Sequence, residues 1–296
     1  MIDITFLGTA GSAPTKERAL PAVAIEYDGN VFLFDCSEGT QRQLMEYSIN
    51  PFKIKAIFIT HLHGDHVIGV AGLVRTLALL NRVEPLYIYV PEGEEKKVNL
   101  LITFDNALIN YKVVIKGIRT GTIFKGKTFM INAFRLEHSI KTYGFLFKEN
   151  DKLHFIKEKS LALGLKGEMF SKFSKTGTML INGKRIKLKD VTTIEKGKKI
   201  VYATDTRPTK NTVLTSANAD LLIHEATYSD VLKDLAVQRK HSTAKEAATV
   251  AKKAKVKILI LFHLSSRYAD AEPLLKEAKS VFKDTSIAYD GLKLSI

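Results

Sequence analysis

The chain has 296 residues, 45% of them hydrophobic, which is enough to bury a substantial core and excludes a disordered or low-complexity protein. Lys and Arg number 45 against 31 Asp and Glu, a net charge of +14 that favours polyanionic partners: nucleic acid, an acidic membrane or an acidic protein. No apolar run approaches the roughly 18 residues of a membrane span. The single cysteine, Cys36, excludes an internal disulfide and a Cys-rich zinc site. With no basic leader before the first β-rich run, the expected compartment is the cytoplasm.

In chain order, Ile2 to Leu7, Val23 to Tyr27 and Val31 to Phe34 are short β-rich runs, with the turn Asp28-Gly29-Asn30 between the last two. Thr40 to Glu46 has helical composition. Ile57-Phe58-Ile59 is an apolar strand that runs into a His-rich turn. Val70, Leu73, Val74, Leu77 and Leu80 then recur at helical spacing. Strands are expected at Leu86 to Val90, Tyr111 to Ile115 and Thr128 to Leu136, with a helical stretch from Glu92 towards Ala107. From Lys148 to Lys199 the texture changes: 14 Lys and Arg face 6 Asp and Glu, a net of +8, among scattered glycines. This segment reads as a basic arm inserted at about 148–199 into a single domain spanning 1–296. Strands return at Ile200 to Ala203, Leu221 to Ile223 and Ile258 to Phe262, with helices at about Ser242 to Lys253 and Ala271 to Phe282.

The sharpest chemical signal is His61-Leu62-His63-Gly64-Asp65-His66, three imidazoles and a carboxylate within six residues at a strand end. A loop there can turn successive side chains onto one point, which a regular helix or strand cannot do. Further candidates each follow a β-like run: His138, Asp205 and His263. Together the seven suit two borderline ions, with imidazoles for zinc and a carboxylate able to bridge.

His-x-His-x-Asp-His resembles the signature of the metallo-β-lactamase superfamily, and the flanking motifs resemble those of ribonuclease Z over essentially the whole chain. The opening strand and loop Phe6-Leu7-Gly8-Thr9-Ala10-Gly11-Ser12 is one such motif. The acidic turn from Asp35 to Gln43 is another, with Ser37 where the family usually has Gly. Asp205-Thr206-Arg207-Pro208, His224-Glu225-Ala226-Thr227 and His241-Ser242-Thr243 match the later motifs. Pro14-Thr15-Lys16-Glu17-Arg18-Ala19 is similar to the family's Pro-x-Lys-x-Arg-Asn loop, with Ala19 in place of Asn.

The resemblance implies an α/β fold, a four-layer αββα sandwich with a protruding basic arm. It implies two zinc ions per subunit, one held by His61, His63 and His138, the other by Asp65, His66 and His263, with Asp205 bridging. Asp65 would also orient or deprotonate the attacking water, and Glu225 with His241 would relay a proton to the leaving oxygen. His224 is expected as a hydrogen-bonding neighbour of this site. The implied activity is endonucleolytic removal of the 3′ trailer from precursor transfer RNA, leaving a 3′-hydroxyl on the transfer RNA. The implied assembly is a cytoplasmic homodimer without a membrane.

RNA contacts are expected from Lys16 and Arg18, and from Lys184, Arg185, Lys187 and Lys189 in an alternating basic and apolar run like an exposed hairpin strand. The arm departs from the family at Gly167-Glu168-Met169-Phe170, where a Gly-Pro element is usual. A metallo-β-lactamase-fold hydrolase of a small phosphodiester or other ester is the alternative; it shares the His-rich loop and has no need of a +8 arm. A basic RNA-binding protein with a structural metal fits less well, because structural zinc sites are thiolate-rich.

Overall fold

The computed structural model describes residues 1–105 and 108–296. By internal contacts the chain divides into two compact units, Met1–Phe147 with Lys199–Ile296, and Lys148–Lys198.

The described residues of the first unit form two seven-stranded sheets. In the first, Lys293–Ser295, Asp3–Gly8, Ala22–Tyr27 and Asn30–Phe34 pair antiparallel in that order, followed by the parallel strands Ile54–Phe58, Leu86–Pro91 and Val113–Ile118. The second runs Thr285–Ile287, Ile258–Phe262, Leu221–Glu225, Lys199–Ala203, Tyr143–Glu149, Phe129–Arg135 and Gly121–Lys125. Its first four strands are parallel. The predicted turn is a two-residue hairpin: Asp28 and Gly29 both take positive φ, 51° and 73°, as a type I′ turn requires.

Alternation along each strand sorts the side chains into layers. Val23, Ile25, Phe32, Phe34, Phe58, Phe145, Tyr202, Ile223 and Phe262 share one buried cluster drawn from both sheets. The intervening residues Ala24, Leu33 and Ile57 join Leu44, Val70, Leu73, Val74 and Leu77 of the helices Thr40–Glu46 and Gly69–Leu79. On the second sheet, Val201, Leu222 and Leu261 face Ala247, Ala251 and Leu274 of the helices Ala244–Ala254 and Glu272–Lys279. Because both faces of each sheet are covered, the central strands are largely apolar. The result is the expected helix-sheet-sheet-helix sandwich.

The helix expected from Glu92 spans Glu95–Thr103; its expected end at Ala107 lies outside the described residues. Four strands of the two seven-stranded sheets are not expected from the sequence: Gly121–Lys125, Tyr143–Glu149, Thr285–Ile287 and Lys293–Ser295. Three of them are only three to five residues long, too short for alternation to show.

The second unit, expected as a basic arm, has its own apolar cluster. Leu165, Phe173, Ile181 and Val191 are buried together, with Phe155, Met169, Phe170 and Leu188 packed around them. The helix Glu168–Thr176 supplies Met169, Phe170 and Phe173, and the helix Lys157–Ala162 is followed by Leu163, which also packs against the cluster. Gly167, at φ +45°, caps the second helix at the place where the family's Gly-Pro element is missing. Two antiparallel pairs complete the unit, Lys152–Phe155 with Thr192–Glu195 and Thr178–Ile181 with Lys184–Lys187.

Candidate metal centre

The candidate ligands follow the C-terminal ends of four strands: Ile54–Phe58, Phe129–Arg135, Lys199–Ala203 and Ile258–Phe262. Two are held in left-handed backbone, Asp205 at φ 42° and His263 at φ 56°. Such strain in non-glycine residues concentrates at functional sites.

The structure brings all seven together in two sets. His61, His63, His138 and Asp205 place one ligand atom each within 4.8 Å of one another, and so do Asp65, His66 and His263. In the first set His61 Nε2 is 2.9 Å from His63 Nδ1, which is 3.3 Å from His138 Nε2. Asp205 Oδ2 lies 3.6 Å from His61 Nε2 and 3.7 Å from His138 Nε2. Its other oxygen faces the second set, with Oδ1 3.1 Å from His263 Nε2 and 3.3 Å from His66 Nε2. Asp65 Oδ2 is 3.6 Å from each of these imidazoles.

The surrounding hydrogen bonds assign the tautomers. His138 Nδ1 donates to the Lys240 carbonyl at 3.0 Å, and His66 Nδ1 donates to Asp35 Oδ2 at 2.9 Å. The Thr60 hydroxyl donates to Asp35 Oδ1 at 2.9 Å and so accepts from His61 Nδ1 at 3.0 Å. The Thr227 hydroxyl likewise donates to Glu225 Oε2 at 2.6 Å and accepts from His263 Nδ1 at 3.0 Å. Four Nε2 lone pairs therefore face inward with two carboxylates. A convergence of lone pairs and negative oxygens without intervening protons is unfavourable unless a cation sits among them. The donor set of imidazole nitrogen and carboxylate oxygen therefore fits a pair of divalent ions of zinc's class.

The electrostatics agree. Burial, with help from neighbouring imidazoles, holds His61, His63 and His138 below the usual imidazole range and keeps their lone pairs free. Burial opposes charge on His66 as well, but Asp205 and Asp35 hold it well above that range. Asp205 at Nε2 and Asp35 at Nδ1 thus favour positive charge on the His66 ring, and a metal ion at Nε2 would answer the same demand. Burial alone would raise Asp65 and Asp205; the facing imidazoles, His263 foremost, hold both below the usual carboxylate range.

Beside the ligands, His241 Nδ1 donates to Glu225 Oε1 at 2.9 Å. That oxygen also accepts the Thr206 N–H at 2.6 Å, and Glu225 is fully buried. The His241 ring lies 4.9 Å from the His138 ring and 5.7 Å from that of His263, centroid to centroid. Burial would lower the His241 pKa, but Glu225 raises it to about 9, while the imidazole helps pull Glu225 down to about 2. His224 is buried; its Nδ1 donates to the Glu225 carbonyl at 2.8 Å, and among the described residues its Nε2 has no hydrogen-bond partner.

The expected RNA contacts divide. Lys16 is exposed, as are Lys184, Arg185, Lys187 and Lys189 on and beyond the second unit's hairpin. Arg18 is half-buried, and its Nη1 donates to Thr9 Oγ1 and to the Ala288 carbonyl, both at 2.7 Å, so it anchors its own loop. Sequence reasoning missed Asp35, Thr60 and Thr227 as orienting groups. Their position immediately beside or opposite a ligand was the available signal.

A family model described as anti-Pycsar protein Apyc1 matches residues 2–283, so the chain falls within the family so described. Among curated proteins, ribonuclease Z of Archaeoglobus fulgidus is 43% identical over 302 residues, covering 100% of this chain and 98% of the relative. Ribonuclease Z of Methanosarcina acetivorans is 38% identical with the same coverage. The chain belongs to the ribonuclease Z family. Ribonuclease Z enzymes are metal-dependent endoribonucleases of the metallo-β-lactamase fold, and this chain is an enzyme of that kind. Among solved structures, the short form of human tRNase Z (ELAC1) superposes with a TM-score of 0.73 at 29% identity, covering 99% of both chains. The metallo-β-lactamase fold protein YhfI from Bacillus subtilis gives the same TM-score at 19% identity, covering 99% of this chain and 98% of that one, a likeness of fold.

Proposed function

We propose that this ribonuclease Z relative removes the 3′ trailer from precursor transfer RNA. It would use two zinc ions per subunit, held by His61, His63 and His138 on one side and by Asp65, His66 and His263 on the other, with Asp205 shared. The observation that carries this reading is Asp205, which turns one oxygen to each ligand set, 3.1 Å from His263 and 3.6 Å from His61. Full-length relatives named ribonuclease Z support the substrate.

Bound there, the ions would neutralise phosphate charge and supply an ionised water at neutral pH. Asp65, held as a carboxylate by its imidazole neighbours, would accept a hydrogen bond from the attacking water and so orient it. His241 is protonated at neutral pH because Glu225 holds its pKa near 9, and it gives its proton to the departing 3′ oxygen. A water oxygen would bond to phosphorus as the P–O3′ bond breaks, so the transfer RNA keeps a 3′-hydroxyl and the trailer keeps the phosphate. Glu225 accepts from Nδ1 throughout, so the other ring nitrogen carries the transferred proton. Lys184, Arg185, Lys187 and Lys189 add a sequence-independent grip on phosphates.

We assign the enzyme to the cytoplasm as a homodimer; no helix among the described residues is long and apolar enough to cross a membrane. The test is a trailer-bearing transcript incubated with zinc-loaded protein. Release of the intact trailer with a 5′-phosphate supports the reading. An uncut transcript, with hydrolysis of a small chromogenic phosphodiester retained, favours a small-substrate hydrolase.

A further inference from the structure

A C-terminal residue reaches the metal centre through a loop at the other end of the chain. Asp290 accepts from both ends of the segment that joins the first strand to the next: Thr9 Oγ1 donates to its Oδ1 at 2.7 Å, and the Ala19 N–H donates to its Oδ2 at 2.6 Å. Gln43 Nε2 also donates to Oδ2 at 3.3 Å while bonding the Leu7 carbonyl at 2.6 Å. Within the loop, the Thr9 and Ala10 N–H groups both donate to the Ala19 carbonyl at 2.9 Å, so the two ends that Asp290 grips also hold each other.

The interior of this loop lies against the ligands. The Ser12 N–H donates to Asp65 Oδ2 at 2.9 Å, the same oxygen that faces His66 and His263. Ser12 takes φ 65°, an uncommon conformation for serine that the surrounding bonds must impose. Ala10–Gly11 pairs with Leu264–Ser265, directly after His263.

We infer that Asp290 is a positioning residue for the metal centre: by closing the loop from Thr9 to Ala19 it fixes the Ser12 N–H against Asp65 and so sets the orientation of that carboxylate. Asp290 touches none of the ligands and acts through the loop. The idea rests on the reading of Asp65 as a ligand and water-orienting group. The bond from Ala19 to Asp290 uses the backbone N–H, so it does not depend on the side chain at that position.

The test compares Asp290→Asn, Asp290→Glu and Thr9→Val with the native full chain, each shown to be folded by circular dichroism. Zinc affinity is measured by chelator competition, and kcat and KM on the trailer-bearing transcript. Asp290→Asn removes the charge and replaces one of the two acceptor oxygens with an N–H donor, and is expected to weaken zinc binding and lower kcat by about 10- to 100-fold, the scale seen when groups behind metal ligands are removed. KM should stay within about threefold of native and Asp290→Glu should recover part of the loss. Thr9→Val, which keeps the shape and removes one of the three bonds to Asp290 together with the acceptor for Arg18 Nη1, should fall between native and Asn; it carries the test if Asp290→Asn does not fold. Unchanged zinc affinity and kcat in folded variants would overturn the inference, as would a rise in KM alone. Zinc affinity needs no RNA, so a native enzyme that leaves the transcript uncut defeats the proposed substrate without deciding the role of Asp290.

Discussion

His241 donates its Nδ1 hydrogen to Glu225 across 2.9 Å, and that bond fixes which nitrogen can serve a substrate. Replacing His241 with Ala should lower kcat on a transcript by about 10²- to 10⁴-fold, the usual worth of a general acid. A chromogenic phosphodiester whose phenolate leaves without a proton should lose far less. Parallel rates on the two substrates check this.

The same pair sets a pH dependence. Glu225 raises the His241 pKa to about 9, so the acid form survives until the pH climbs through that value. In Glu225→Gln the raising charge is gone, and the alkaline limb of the kcat profile should move to lower pH. A limb that stays in place would assign it to another group.

Gly11 has no room for a side chain. A Cβ built there would lie 2.6 Å from the His263 ring, closer than carbon atoms pack. Gly11→Ala should push His263 off its position and lower kcat by about 10²-fold, as an ångström of misplacement can. The thermal midpoint should stay close to native, because the sheet cores do not include this residue. Kinetics and a melting curve separate the two effects.

Asp35 collects four donors: the Thr60 N–H and hydroxyl, His66 Nδ1 and the Tyr202 hydroxyl, the last at 2.9 Å. Burial and Asp35 hold Tyr202 well above the usual phenol range, so it remains a donor. Asp35→Asn turns an amide donor into this cluster. It should lower zinc affinity by about 10- to 100-fold and cost about 1.5–3 kcal/mol for each charged hydrogen bond lost. Metal titration and chemical denaturation measure the two costs.

The hairpin cations supply a different prediction. Changing Lys184, Arg185, Lys187 and Lys189 to Ala should reduce the slope of log binding constant against log salt by up to about three. Hydrolysis of the small phosphodiester should be unchanged. Filter binding at several salt concentrations reads the slope.

How much of this was legible beforehand follows from how local each signal is. His61 to His66 announce themselves because six residues carry four ligands, and His138, Asp205 and His263 could be singled out because each ends an apolar run. Asp35 and Thr227 were quoted in motifs without a role, since a carboxylate or hydroxyl orients an imidazole only once distant strands are paired. Asp290 was invisible for the same reason, 281 residues from its partner Thr9. In the second unit, Met169, Phe170 and Phe173 do recur at helical spacing, but a single turn is too short to establish the period. The bond from the Lys240 carbonyl to His138 has no side-chain signature at all.

The account stands on two ions shared through Asp205, and counting them tests it most directly. Native mass spectrometry of the zinc-loaded protein should show two ions per chain, and fewer than two in Asp205→Ala with its fold retained. A fully active native protein that holds a single ion, or an Asp205→Ala variant that keeps both, would contradict it.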